Sequence, residues 1–332
     1  MKKILLAVTV ALAITSCSQS EEFENPNQKA EINFGTVVKA TSRAAVTDNN
    51  SFKSFKVSSF IVAADFNFTE ALLGSPYMDG VEYTGTKGSW TPTTDQNKYY
   101  WPIDKNVQFF GYPKELTLVA PVEGANGSPT LAFTIGENSA AQTDLVVASQ
   151  NTAKPADGNK VTLDFKHILA KINFSYKPLD SSFTYTISKI TITGVKGGKA
   201  TYTYAADVID GKWDAGEVVA AGYEYPITVA QDAVDEYYTL DSTNGSLMLL
   251  PQDVAGAKIE ITYKTTKEIN GVVETFFNGA KTVTLPAESK WGVGKNIRYK
   301  LSLPIGADEI GIDTDVKDWD VEAPVTPDVD AV

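Results

Sequence analysis

Short runs of alternating apolar and polar residues recur along most of this chain, and no stretch holds a helical period for long. Alternation with a period of two places apolar side chains on one face of an extended strand. Such runs cover residues 56–62, 107–112, 161–165, 171–176, 188–193 and 258–263. The turn-forming pairs between runs include Asp210-Gly211, Asn244-Gly245 and Asn270-Gly271. Aromatic residues make up 11% of the chain, and these also favour strands. The sequence therefore predicts an all-β protein built from β-sandwiches.

The length of 332 residues is enough for two domains of ordinary size. Residues 151–159 are polar and contain Lys-Pro and Asp-Gly pairs, so this segment is the best candidate for a linker. We therefore predict an N-terminal domain over residues 30–155 and a C-terminal domain over residues 156–320. Residues 321–332 form an acidic tail with two prolines, so we expect residues 325–332 to pair only at a sheet edge or to stay disordered.

The first residues have the pattern of an export signal. Two lysines precede an apolar run over residues 4–14, which is too short to span a bilayer as a stable helix. Small residues then precede Cys17, a pattern that resembles the lipobox of bacterial lipoprotein signal peptides. A generic secretory signal with a chance cysteine is the alternative. We predict a signal over residues 1–17 with lipid attached at Cys17, a polar tether over residues 18–29, and a location at the bacterial envelope or cell surface.

Charge and residue usage argue against several functional classes. The formal net charge of −12 opposes binding to a polyanion such as nucleic acid. His167 is the only histidine, so a zinc site or a Ser-His-Asp triad lacks partners. We expect His167 to be packed or hydrogen-bonded where two strands meet.

Four aspartates near the C-terminus have the ligand type that calcium prefers: Asp313, Asp315, Asp318 and Asp320. They lack the turn glycine of an EF-hand-type loop, so a solvated acidic edge is the expected explanation. We predict no cofactor, no metal site and no enzymatic activity.

A series of short motifs follows the tether in a recognisable order. It comprises YYWP at 99–102, VQFFGY at 107–112, DLVVA at 144–148, VTLDFKHILAKINF at 161–174, LLPQ at 249–252, a strand at 259–263, WGVGKNIRYKL at 291–301 and VKDWD at 316–320. This series is similar to that of the fimbrillin family, the lipoprotein precursors of fimbrial subunits in anaerobic Gram-negative gut and oral bacteria.

The resemblance implies two transthyretin-like β-sandwich domains in tandem and a route of assembly. In that family, the lipidated precursor is carried to the cell surface, where an arginine-specific protease removes the first strand. The vacated groove then accepts a donor strand from another subunit. The resemblance thus implies a structural subunit of a cell-surface fimbria that serves adhesion. Its implied partners are other fimbrial subunits, the protease and, for the precursor, the outer membrane through the Cys17 lipid.

Arginine usage leaves one clear target for such a protease. Arg43 and Arg298 are the only arginines in the chain. Arg43 lies among small residues with no strand pattern across it, whereas Arg298 lies inside a strand-like run. We predict proteolytic processing at Arg43; a loop arginine without a role is the alternative.

Two segments share one pattern: residues 31–39 read EINFGTVVK and residues 309–317 read EIGIDTDVK. The side chains on one face of the first are Ile32, Phe34, Thr36 and Val38. Those on the same face of the second are Ile310, Ile312, Thr314 and Val316. A donor strand needs such a match because pockets spaced two residues apart supply specificity. We predict that the second segment of one subunit replaces the first in another. Chance similarity is the alternative, and the final tail is a second candidate donor.

Two other functions are weighed against the fimbrial one. The first is a monomeric surface lipoprotein that binds a glycan or host protein through exposed aromatic residues, namely Trp90, Tyr99, Tyr100 and Trp101. The second is a surface hydrolase, which would need a cleft with converging carboxylates. The position within a fimbria, as stalk, tip or anchor, is left open.

Overall fold

The computed structural model describes residues 30–38, 51–68, 73–86, 88–94, 98–122, 127–156, 160–225, 227, 237–240, 246–306 and 308–319. Within these ranges the chain is all-β, as predicted, and helix is limited to two single 3₁₀ turns at Ser139–Ala141 and Val208–Asp210. None of the described residues forms a helix long and apolar enough to cross a membrane.

The strands are, in chain order, β1 (Asn33–Val38), β2 (Ser54–Val62), β3 (Met78–Thr86), β4 (Ser89–Pro92), β5 (Asn106–Tyr112), β6 (Leu118–Val119), β7 (Thr130–Thr134), β8 (Val146–Thr152), β9 (Lys160–His167), β10 (Ala170–Pro178), β11 (Thr184–Thr193), β12 (Lys199–Thr203), β13 (Lys212–Ala215), β14 (Tyr223–Tyr225), β15 (Tyr238–Thr239), β16 (Leu247–Leu249), β17 (Gln252–Asp253), β18 (Lys258–Ile269), β19 (Val272–Thr284), β20 (Lys290–Trp291), β21 (Lys295–Leu303) and β22 (Gly311–Asp318).

The largest sheet has seven strands in the order β1-β9-β8-β5-β2-β3-β4. Its neighbours run antiparallel, except for β1 and β9, which run parallel. Alternation decides which residues of β9 enter the core: Val161, Leu163 and Phe165 are buried, and the residues between them are exposed. The N-terminal segment thus ends up at the edge of the sheet, beside a strand more than a hundred residues later in the chain.

Four smaller sheets complete the described structure. Strands β15-β10-β21-β22 form one, with β16 also paired to β10, and β10 runs parallel to β21. The others have the orders β14-β11-β18-β19, β13-β12-β7-β6 and β17-β20. Strand β10 is paired along both edges, and nearly all of its residues, which point alternately to the two faces of the sheet, are buried. Strands β18 and β19 form a long hairpin whose turn, Asn270-Gly271, has both residues at positive φ, as a two-residue hairpin turn requires.

The buried apolar side chains form two clusters. The smaller lies on one face of the seven-stranded sheet and extends from Ile32 to Phe165. The larger joins the other face of that sheet to the remaining sheets, for example where the rings of Phe110 and Tyr204 meet edge to face at 5.0 Å. The Tyr204 hydroxyl also donates a hydrogen bond of 3.0 Å to the Gly111 carbonyl.

The strand pairing crosses the linker predicted at residues 151–159. Strand β9 follows the predicted division between residues 155 and 156, yet it belongs to the seven-stranded sheet. Strand β7 precedes that division and pairs with β12, which follows it. The pairing therefore connects the two predicted halves in both directions. The tandem of two transthyretin-like sandwiches remains a prediction.

Candidate functional site at the N-terminal edge strand

Strand β1 lies at an edge of the seven-stranded sheet. Its ladder to β9 runs from Asn33 opposite Lys160 to Val38 opposite Phe165. Just before the strand, the Ile32 N–H donates to the Tyr99 carbonyl at 2.8 Å. Among the described residues, no second strand pairs along the outer edge of β1. Strand β1 is thus paired with a single strand, β9, and the residues just before it are bonded to residues 99–101.

The same strand supplies part of the core. Ile32, Phe34 and Val38 are 3%, 1% and 1% exposed, and Thr36 is half-buried. The Phe34 ring contacts Tyr83, Phe109 and Phe55 edge to face, with centroid distances of 4.8, 5.6 and 6.2 Å. Removal of β1 would thus leave a groove lined by aromatic side chains, with pockets two residues apart.

Tyr83 lies beside this groove, since its ring contacts that of Phe34. Burial raises the pKa of Tyr83, and Tyr99 and Glu31 raise it further. The tyrosine therefore stays protonated and neutral across the physiological range, and its hydroxyl adds no charge to the groove behind β1.

Residues Ile310 to Val316 lie in another sheet, where β22 pairs antiparallel with β21. Ile310 is 9% exposed and Ile312 is half-buried, so both pack against the larger core cluster. Thr314 is exposed, and Val316 is 56% exposed. The side chains on this face are thus buried at the start of the β22 segment and exposed at its end. In the β1 segment, by contrast, the apolar side chains of the matching face are buried at both ends.

The lone histidine is a packed core residue, as the sequence indicated. His167 ends β9, and its Nδ1 lies 3.0 Å from the carboxylate of Asp144, whose side chain is fully buried. The indole of Trp319 stacks on the imidazole at a centroid distance of 4.3 Å and an angle of 6°. The backbone N–H of Trp319 also donates to the Gly294 carbonyl at 2.8 Å. These contacts fix the chain at the end of β22.

The acidic residues of β22 face lysines on β21. Asp315 is 2.6 Å from Lys300, and Asp318 forms an ion pair with Lys295. The hydrogen bond from Lys300 lowers the pKa of the Asp315 carboxyl. Within the described ranges, no group of three or more histidine, cysteine or acidic residues has the arrangement of a metal site. Asp320 lies outside the described residues.

The aromatic residues proposed for a surface platform are largely internal. Trp90 and Trp101 are 7% and 5% exposed and belong to the core behind β1, while Tyr99 and Tyr100 are half-buried. Trp101 meets Phe109 edge to face at 6.0 Å. The two tryptophans therefore support the strand rather than offer a stacking surface to solvent. Cys17 and Arg43 lie outside the described residues.

The fold and the site together define a class of protein. It is an all-β protein in which the N-terminal edge strand completes the hydrophobic core of the same chain. The chain belongs to the fimbrillin-like family, whose model matches residues 42–319. The match begins one residue before Arg43, so β1 precedes it. Among curated proteins, none matches this sequence.

Solved structures share the fold. A fimbrial protein from Bacteroides vulgatus is 20% identical, with a TM-score of 0.64 over 86% of this chain and 99% of that one. A candidate cell adhesion protein from Bacteroides ovatus is 17% identical, with a TM-score of 0.51 over 89% of this chain and 100% of that one. At these identities the similarity concerns the fold alone.

Proposed function

We propose that this chain is a structural subunit of a cell-surface fimbria that serves adhesion, and that it assembles by exchanging β1 for a strand of another subunit. One observation carries the proposal: β1 pairs with a single strand, β9, yet together with Ile32 just before it contributes three side chains to the core. Family membership and the fimbrial protein among the related structures support the same role.

The proposed route begins with export, lipid attachment at Cys17 and transport to the outer membrane. An arginine-specific protease then cuts at Arg43. Strand β1 ends at Val38 and β2 begins at Ser54, so this cut would leave β1 attached to the body only by non-covalent contacts. The lipid would leave with β1, so the mature subunit would carry no anchor of its own.

The second arginine is a poor protease target. Arg298 lies within β21, and its guanidinium donates to the Phe174 carbonyl at 3.2 Å and to the Ser175 hydroxyl at 3.0 Å. Proteases need a stretch of chain that can leave its hydrogen bonds and enter the active site. A strand paired on both sides resists this, which favours Arg43 as the processing site.

The first experiment treats the purified full chain with an arginine-specific protease. We expect one cut, a mature chain that begins at Ala44, and polymers visible by electron microscopy. Arg43→Lys should block both cleavage and assembly. Arg298→Lys is the matched control and should be processed normally. Polymers formed by uncleaved Arg43→Lys protein would refute the proposed route.

A second experiment separates the two candidate donors. Val316→Asp places a charge on the donor face at an exposed position, so folding should change by no more than about 0.5 kcal/mol. If the β22 segment donates, this variant remains a folded, cleavable monomer that does not polymerise. If residues 320–332 donate, Val316→Asp polymerises and truncation after Trp319 does not. Polymerisation of both variants would exclude both donors.

A further inference from the structure

A cavity of about 390 Å³ opens on the inward-facing side of the seven-stranded sheet, away from β1. Its floor consists of Gln108 on β5 with Ser149 and Asn151 on β8, and its wall consists of Phe66 and Phe68 in the loop after β2. None of the described residues that line it carries a charge. Its volume lies in the range of small-ligand sites.

The polar floor breaks the apolar pattern of this face. Gln108 lies opposite Phe60 on one neighbouring strand and two residues before Phe110, and both of these aromatic residues are core residues. Gln108 itself is 2% exposed. A buried amide costs free energy unless hydrogen bonds satisfy it. The groups around Gln108 must therefore supply hydrogen bonds to its amide.

Hydrogen bonds hold the floor in one arrangement. The Gln108 amide nitrogen donates to the Ser149 hydroxyl at 3.0 Å and to the Phe109 carbonyl at 3.2 Å. Two residues before Gln108 on β5, the Asn106 amide nitrogen donates to Asn151 Oδ1 at 2.7 Å. These bonds span two paired strands, so the polar groups are fixed before any ligand arrives.

The bonding pattern determines what the floor can offer to a ligand. Both N–H donors of Gln108 are engaged, and among the described residues no donor bonds to its Oε1, so this atom is available as an acceptor. Asn151 Nδ2 is buried and has no hydrogen-bond partner in the part of the chain that the structure describes. Such a donor is costly, and a ligand oxygen would relieve it. Ser149 adds a hydroxyl that both donates and accepts.

The wall offers apolar contact beside these groups. The rings of Phe66 and Phe68 are half-buried and meet edge to face at 6.2 Å. Phe68 in turn packs against Phe110 at 5.9 Å, which fixes its orientation. Exposed ring surface next to uncharged donors and acceptors suits a ligand with both an apolar face and hydroxyl groups.

We propose that this cavity binds a neutral carbohydrate. Sugar hydroxyls donate and accept at once, which matches a floor with one free acceptor, one unsatisfied donor and one hydroxyl. The C–H face of a pyranose ring matches the phenyl wall. A charged ligand would find no counter-charge in the lining. The site is independent of strand exchange, since none of its lining residues belongs to β1 or β22.

The test is saturation-transfer NMR on the full chain with D-glucose, D-galactose and N-acetyl-D-glucosamine as probes, and an uncharged N-acetyl dipeptide amide as the peptide counterpart. We expect saturable transfer from at least one sugar. Gln108→Leu should weaken its affinity about tenfold, as expected for one lost hydrogen bond. Ser149→Ala should weaken it about threefold, and serves if Gln108→Leu does not fold.

The matched control is Gln150→Leu, the same substitution on the opposite face of β8, which should leave the affinity within about twofold. The proposal is overturned if no sugar gives a saturable signal, or if the dipeptide amide binds and the sugars do not. It is also overturned if Gln150→Leu weakens sugar binding as much as the variants of the floor.

Discussion

Phe34→Ala tests whether β1 is a separable unit. The Phe34 side chain is 1% exposed and is surrounded by Tyr83, Phe109 and Phe55. Replacing a buried phenylalanine with alanine typically costs about 3–5 kcal/mol, because the cavity adds to the lost transfer free energy. Three aromatic rings held by their own strands cannot collapse into the space, so we expect about 4 kcal/mol.

For this test, the part of the fold that loses stability matters more than the size of the loss. If β1 detaches alone, the cost falls on the opening of that strand, and the rest of the fold is unaffected. At about 1.4 kcal/mol per factor of ten, the opening equilibrium should rise by two to four orders of magnitude. Hydrogen exchange followed by mass spectrometry on the full chain measures this, with β1 and β10 reported by separate peptides.

The control is Phe276→Ala, the same substitution at a side chain that is 47% exposed on β19. It should cost about 1 kcal/mol or less and leave exchange in β1 unchanged. Equal acceleration in β1 and β10 after Phe34→Ala would mean that β1 opens only with global unfolding. A total loss below about 1 kcal/mol would contradict the packing argument itself.

Three further outcomes are expected. Trp319→Ala removes a fully buried ring stacked on His167 and should lower the free energy of unfolding by about 3–5 kcal/mol in a urea titration. A loss under about 1 kcal/mol would contradict the view that Trp319 holds the end of β22 in place. Stability should fall above about pH 10, because burial raises the pKa of Tyr299 to about 12 and the unfolded state loses its proton first; Tyr299→Phe should flatten that decline. Gly222→Ala should lower the free energy of unfolding by at least about 1–2 kcal/mol, since φ is +68° and a Cβ would lie 2.2 Å from a carbonyl oxygen. Gly256→Ala should lower it less, because that glycine has φ +76° but no atom near the position of a Cβ.

Local pattern was enough to predict the all-β class and several of the strands. The alternating runs at 161–165, 171–176 and 258–263 became β9, β10 and β18, and Asn270-Gly271 became a hairpin turn. These features depend on neighbouring residues, so the sequence carries them directly. The similarity between the β1 and β22 segments was likewise visible, although only the β1 segment buries all three of its apolar residues.

Long-range pairing could not be predicted in the same way. The partner of β1 is β9, and no residue of either strand specifies that choice locally. Asp144 and Trp319 meet on His167 although they are far apart in the sequence, so the buried cluster became visible only in three dimensions. The polar floor at Gln108 was not predicted, because residues 106–112 have the sequence of an ordinary buried strand. A polar residue at an inward position of that strand was the available signal.

In the proposed assembly, the place of the cut controls the competition for the groove. Before cleavage, β1 is tethered to β2, so its effective concentration at the groove is about millimolar and an incoming strand from another subunit rarely displaces it. After a cut at Arg43, a released β1 diffuses away, and the three pockets of Ile32, Phe34 and Val38 are left to solvent. Each exposed side chain forfeits about 1.5–3 kcal/mol of burial, which becomes available to whichever donor strand fills the groove. Cleavage thus converts a local, reversible opening into a driving force between subunits, and the same contacts that stabilise the precursor would hold the polymer.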